Sequence, residues 1–193
     1  MRTNVVVSQG SLGVPIRIFG LGSRGWDYTF GMAIRCEVVD PGKSRAQQLI
    51  AELDADIMCR YPGEATNGID PEEFRASGGV FLIATVDGAD AGCGGFRPVT
   101  LRGFPNTAEI KRMYVRTAFR GKGVAKVVLG DLEERAAARG FANTILETGL
   151  RMKEAIALYR RSGYAVIDNY GQFVGNPESV CMTKALRKTI TQA

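Results

Sequence analysis

The stretch Arg120-Gly121-Lys122-Gly123-Val124-Ala125 constrains the fold of this chain more than any other, because the hydrophobic period changes within it. Upstream, residues 107–115 set Ile110, Met113, Tyr114 and Val115 among polar partners. From Gly123 onward the apolar residues Val124, Val128, Leu132 and Ala136 recur every four positions. A strand therefore ends, and an amphipathic helix begins, at a pair of glycines. Gly121 and Gly123 carry no Cβ, so the backbone can turn tightly and come close to a ligand, while the free N–H groups of the first helical turn point outward. The helix dipole favours an anion there by about 0.3–1 kcal/mol per charge, and Arg120, Lys122 and Lys126 carry charge of the same sign. A pyrophosphate is the natural guest of such a junction, although the loop alone also reads as an ordinary strand-to-helix turn with solvated lysines.

Composition narrows the remaining chemistry. A chain of 193 residues with 45% hydrophobic and 23% charged residues is ordinary for one soluble globular domain with a sizeable core. The net charge of +5 is spread along the chain without the interleaved aromatics of a nucleic-acid stripe, so a polyanionic cofactor accounts for it better than a nucleic-acid partner. Cys36, Cys59, Cys93 and Cys181 lie far apart with no CxxC spacing, which points to free, mostly buried thiols in a reducing compartment and away from zinc. The chain has no histidine, so base chemistry must use a carboxylate, a tyrosine, a cysteine or water.

In chain order, residues 1–31 are interrupted by glycines and lack any acid before Asp27. They read as a poorly ordered N-terminal extension, and Val5–Val7 is too short to be a signal core or a membrane span. Met32 stands directly before a credible domain start and is an alternative site of initiation. The domain is expected over 32–188, with a tail at 189–193. It opens with a strand over 34–39, then a helix from Ser44, as N-cap, through Cys59, with Leu49, Ile50, Leu53 and Ile57 on one face. A turn-rich segment follows, and Pro71 starts a short helix. In that segment Glu64, Asp70, Glu72 and Glu73 are either a lure for a cationic amine or a solvated acidic loop. Strands over 80–86, 91–99 and 108–115 form an antiparallel meander, with Asp87-Gly88 as a hairpin signal. A helix over 124–139 ends at Gly140 and pairs Asp131 with Arg135 on its wet face. A strand over 144–148, a helix over 152–162 and closing strands over 164–170 and 179–186 complete the chain. The fold class is α/β: a single mixed, mostly antiparallel sheet flanked by helices.

Met113-Tyr114-Val115 followed at fixed distance by Arg120 to Ala125 resembles motif A of the GNAT family of N-acetyltransferases. Further on, Ala155 to Tyr164, with Leu158-Tyr159 and Gly163-Tyr164, is similar to its motif B. The resemblance covers roughly 34–184 and implies the GNAT acyl-CoA N-acyltransferase fold. It implies acetyl-CoA as co-substrate, held by Met113, Tyr114, Val115, Arg120, Gly121, Lys122, Gly123, Val124 and Ala125, with no metal. A splay beside the 109–115 strand would free a backbone N–H of Met113, Tyr114 or Val115 for the thioester carbonyl. Glu109 on that strand is the candidate base, and Tyr159 matches the family's acid. Met152 stands where many members carry an asparagine.

These expectations amount to a cytoplasmic enzyme that moves an acetyl group to an amine of a small-molecule or amino-acid-like acceptor, by direct attack in a ternary complex. Neither nucleic acid nor membrane is expected as a partner, and a homodimer is compatible with the sequence. A non-catalytic acyl-CoA sensor is the alternative, encouraged by Met152 and the missing histidine. The loop from Tyr170 to Pro177 borders either the acceptor site or a dimer contact.

Overall fold

A computed structural model describes residues 33–63 and 68–186. The expected extension over 1–31, the initiation question at Met32, the tail over 189–193 and Glu64 lie outside the described residues. Seven strands form one mixed sheet: β1 (Ile34–Val38), β2 (Val80–Val86), β3 (Ala89–Leu101), β4 (Phe104–Val115), β5 (Asn143–Gly149), β6 (Ala165–Ile167) and β7 (Ser179–Ala185), in the order β1-β2-β3-β4-β5-β7-β6. All neighbours are antiparallel except β4 and β5. The helices are α1 (Ser44–Arg60), α2 (Pro71–Ala76), α3 (Val124–Ala138) and α4 (Lys153–Arg161).

Strand alternation sorts side chains to two faces. In β2, Val80, Leu82, Ala84 and Val86 join Val124, Val128, Leu129, Leu132 and Ala136 of α3, whereas Phe81 and Ile83 join Ala46, Leu49 and Ile50 of α1 and Phe74 of α2. The every-fourth apolar residue of α3 thus packs on one face and α1 on the other. Each fully buried Val or Leu contributes about 1.5–3 kcal/mol. Tyr159, Ala155 and Leu158 belong to the α3-side cluster, which puts α4 on that face as well.

Several local readings need correction. Lys43, not Ser44, occupies the N-cap position of α1, and no side chain caps it. Asp70 caps α2 by accepting from the backbone N–H groups of Glu72 at 2.7 Å and Glu73 at 3.3 Å, with Pro71 in the first turn. The closing strand expected over 164–170 shrinks to Ala165–Ile167, because Asn169 Nδ2 turns to the carbonyls of Asn176 and Ser179. Of the four thiols, Cys93 and Cys181 are buried, Cys36 is half-buried, and Cys59 is exposed at the last turn of α1; all are free. Asp131 accepts from Arg135 Nε at 2.6 Å, as their spacing suggests.

Candidate active site

The site forms where β4 and β5 part. Their parallel pairing covers only Thr107–Asn143, Ala108–Thr144 and Glu109–Ile145, although β4 runs on to Val115 and β5 to Gly149. Each strand keeps its other neighbour to its end: Val115 faces Gly92 of β3, and Gly149 faces Ser179 of β7. The expected splay beside the 109–115 strand is therefore present, and the edge of β4 beyond Glu109 has no ladder to β5.

A bulge in β4 contributes to the divergence. The β3–β4 register shifts between Cys93 and Gly95, and Arg112 takes φ +58°, in the left-handed region. For a residue with a Cβ this costs about 1–2 kcal/mol, and a glycine would adopt it without strain. Bulges re-aim side chains, and this one turns Arg112 toward α1, where its Nη1 donates to Asp54 Oδ1 at 2.6 Å. Opposite the bulge, Gly94 leaves room for Met113: a Cβ there would come within 2.5 Å of Met113 Sδ and 3.0 Å of Val128 Cγ1.

The gap between the strands opens into a cavity of about 450 Å³. Leu53, Ile57 and Tyr61 of α1 line one end, and Met152, Ala155 and Tyr159, from the start and body of α4, line the other. Because α1 and α4 pack on opposite faces of the sheet, the cavity passes through the sheet at the splay. Glu109, Lys111, Arg112 and Met113 of β4 form one wall, Glu147, Thr148 and Gly149 of β5 the facing wall. Gln172, Phe173 and Asn176 also line it, so the loop after β6 borders this cavity. Gly149 admits Tyr61, whose hydroxyl accepts from the Arg151 N–H at 2.6 Å; a Cβ on Gly149 would lie 2.2 Å from that oxygen.

Glu109 is not the surface residue that a glutamate near a strand start commonly is. It is 4% exposed, and its carboxylate accepts from Arg97 Nε at 3.0 Å and the Tyr170 hydroxyl at 3.1 Å, with Lys111 Nζ at 3.5 Å. Burial, and then the Glu109 charge, raise the Tyr170 phenol far above the usual tyrosine range. Glu147 stands across the gap and accepts from Ser179 Oγ at 2.7 Å. Tyr159 is 5% exposed, its ring 5.6 Å from that of Tyr164, and among the described residues its hydroxyl has no hydrogen-bond partner. Burial, with the Glu147 charge second, holds that phenol protonated well above its ordinary range.

The glycine loop lies at the start of α3. Gly121 and Gly123 have φ +76° and +84°, and a Cβ on either would meet nothing within 4 Å, so the loop's surface is open. No side chain caps α3, which leaves its first-turn N–H groups available. Arg120 is partly committed elsewhere: its Nε donates to the Val115 carbonyl at 3.0 Å, and its guanidinium sits 5.9 Å over the Tyr114 ring and 3.5 Å from Asp56. Lys122 Nζ lies 5.4 Å over the Phe119 ring.

Among the residues singled out from sequence, Glu109, Met113 and Tyr159 meet in the cavity. Tyr114, Val115 and the Arg120 to Ala125 loop lie outside its lining, at the end of β4 and the start of α3. The sequence does not single out Glu147 or Arg112, the carboxylate in the apolar run Thr144–Thr148 being the one signal for Glu147; Tyr170 heads the loop expected at the acceptor site or a dimer contact, and its hydroxyl donates to Glu109. Asp70 and Glu73 are occupied in capping α2 and facing Arg97, and neither lines the cavity. Among the described residues no group of three or more Cys, Asp or Glu side chains is placed to hold a metal ion, and no helix is long and apolar enough to cross a membrane.

Comparison with known proteins gives the same outline. The Acetyltransferase (GNAT) family model matches residues 50–164. An IAA acetyltransferase of Azospirillum brasilense is 34% identical over 146 residues, covering 76% of this chain and 94% of that protein. An Escherichia coli protein, the uncharacterized N-acetyltransferase YjgM, is 37% identical over 128 residues, covering 62% of this chain and 76% of its own. Among solved structures, a GNAT family acetyltransferase from Elizabethkingia anophelis, determined with acetyl-CoA bound, shares the fold with a TM-score of 0.58 at 18% identity, over 79% of this chain and 98% of that one. From the splayed strands, the glycine-started helix and the family match together, the chain belongs to the GNAT family of acetyltransferases.

Proposed function

We propose that this enzyme transfers an acetyl group from acetyl-CoA to the amine of a small-molecule acceptor by direct attack within a ternary complex. The observation that carries the reading is the cavity crossing the sheet at the β4–β5 splay, with Tyr159 toward the α4 face and Glu109 and Glu147 on its walls. Such a passage lets two substrates meet from opposite faces, so neither must leave before the other binds. The start of α3 suits a pyrophosphate, because uncapped N–H groups, an open glycine turn and Lys122 converge there. The relative from Azospirillum brasilense, an acetyltransferase by name, supports the same reaction.

Acetyl-CoA supplies the activated thioester. Backbone N–H groups of the Met113, Tyr114 and Val115 segment, on the unladdered end of β4, stabilise the charge that grows on a carbonyl oxygen under attack. Glu109 takes the proton that the amine loses, through water, because its oxygens already accept from Arg97 and Tyr170. Tyr159 donates a proton at the departing sulfur from a hydroxyl that has no hydrogen-bond partner among the described residues.

A thiol-release assay with acetyl-CoA and a panel of amines tests the reading, with both substrates varied once an acceptor is found. Intersecting initial-rate lines are expected. Parallel lines would refute direct attack, and acetyl-CoA binding with no release from any amine would favour the non-catalytic sensor.

A further inference from the structure

Arg112 carries more donor capacity than the protein uses. Its side chain is 4% exposed, yet among the described residues only Nη1 has a partner, Asp54, and Nε and Nη2 are buried with no hydrogen bond to any of them. Buried guanidinium N–H groups are ordinarily satisfied, and an orphaned pair calls for an explanation. The two orphaned atoms are neighbours on one edge of the planar group, the edge whose parallel N–H bonds match both oxygens of a carboxylate. Gly68 lies against that edge, where an added Cβ would fall 3.6 Å from Nη2, so a carboxylate reaches the pair by displacing Gly68. Arg112 also lines the cavity shared by Glu109 and Tyr159. Finally, the residue sits at φ +58°, where glycine would be free of strain, so the backbone is held in a costly conformation that presents an arginine here.

We propose that Arg112 is the acceptor-specificity residue: its Nε–Nη2 edge binds the carboxylate of an acceptor that carries both an amine and a carboxylate, an amino-acid-class substrate. Asp54 fixes the guanidinium from its other side, so the fork is in place before the acceptor arrives. The cavity then places the carboxylate at the bulge and the amine toward the splay. The inference rests on the acetyl-transfer reading and adds the chemical class of the acceptor.

The test pairs L-amino acids with their decarboxylated amines, such as leucine with isoamylamine and phenylalanine with phenethylamine, in the thiol-release assay. The wild-type protein should favour the carboxylated member of a productive pair by on the order of 100-fold in kcat/KM, about 2.8 kcal/mol at 1.4 kcal/mol per decade. Arg112→Lys keeps a cation for Asp54 but lacks the fork, and Arg112→Gln lacks the charge as well. Both should lose the preference through KM for the carboxylated acceptor, while the rate with the plain amine and the affinity for acetyl-CoA stay within about threefold. Equal use of both members by the wild type would overturn the assignment, as would a preference that survives in Arg112→Lys. If no amine releases thiol, the acetyl-transfer reading fails separately, and calorimetric titration with N-acetyl-leucine and N-acetyl-isoamylamine still decides the point. Binding of the carboxylate alone, lost in Arg112→Lys, upholds the site, and no binding overturns it.

Discussion

Tyr159 and Tyr164 are two buried phenols whose rings touch, and removing the hydroxyl from each should have opposite consequences. The Tyr164 hydroxyl lies 2.9 Å from Thr144 Oγ1, so Tyr164→Phe loses a buried hydrogen bond worth about 0.5–1.5 kcal/mol. In a domain of this size about 1 kcal/mol lowers Tm by about 2–4 °C. Tyr159 offers no such bond to lose among the described residues, so Tyr159→Phe should leave Tm unchanged or slightly raised. Activity should reverse the order. A positioned acid contributes about 100- to 10,000-fold, or about 2.7–5.5 kcal/mol of barrier, so kcat of Tyr159→Phe should fall by at least 100-fold with acetyl-CoA affinity retained. Tyr164→Phe should keep kcat within about threefold. Thermal melts and thiol-release kinetics on the two variants read both effects. A Tyr159→Phe protein that turns over within about fivefold of wild type, or that melts as early as Tyr164→Phe, would refute the assignment of Tyr159 as the acid.

Stability should fall at alkaline pH. Burial raises the phenols of Tyr159 and Tyr164 in the folded state, so the unfolded chain loses its protons first as pH passes about 10, and unfolding gains. Stability present below that pH should drop by about 1.4 kcal/mol per tyrosine at pH 11, measured by urea melts from pH 8 to 11; a flat profile would contradict the burial of both groups. Gly92→Ala should lower Tm by about 2–12 °C, because its Cβ would lie 2.4 Å from the Tyr114 carbonyl oxygen and the backbone must move, a cost of about 1–3 kcal/mol. Glu109→Gln should reduce kcat/KM at neutral pH by about 100-fold and shift the loss with acceptor pKa, because amines already neutral need their proton removed only after attack. Equal losses with weakly and strongly basic amines would argue that the residue serves only Arg97 and Lys111.

The fold was legible where local pattern and tertiary packing agree. The every-fourth run in α3 and the alternation in β2 each predict a face, and those faces are the ones buried. The bulge was not legible. Lys111-Arg112-Met113 reads as unbroken strand in one dimension, and only the shifted pairing with Gly95 and Cys93 shows that Arg112 turns to α1. Tyr170 was read as the last residue of a strand. It lies beyond the end of β6, and its hydroxyl donates to Glu109, 61 positions earlier, a contact between elements that no local window contains. Glu147 likewise faces the cavity only because β5 runs parallel to β4 and then parts from it. The motif residues were found from a local pattern, whereas the remaining cavity residues are brought together by strand order, which no local window contains.

Calorimetric titration of acetyl-CoA into the wild-type protein and into Gly123→Ala tests the central claim most directly. Gly123 holds φ +84° with nothing within 4 Å of an added Cβ, so alanine acts through backbone strain of about 1–2 kcal/mol and not through a clash. One saturable site in the wild type, weakened about tenfold in Gly123→Ala, is the predicted result. Absence of binding, or equal binding by both proteins, would contradict the assignment of the start of α3 as the cofactor's seat.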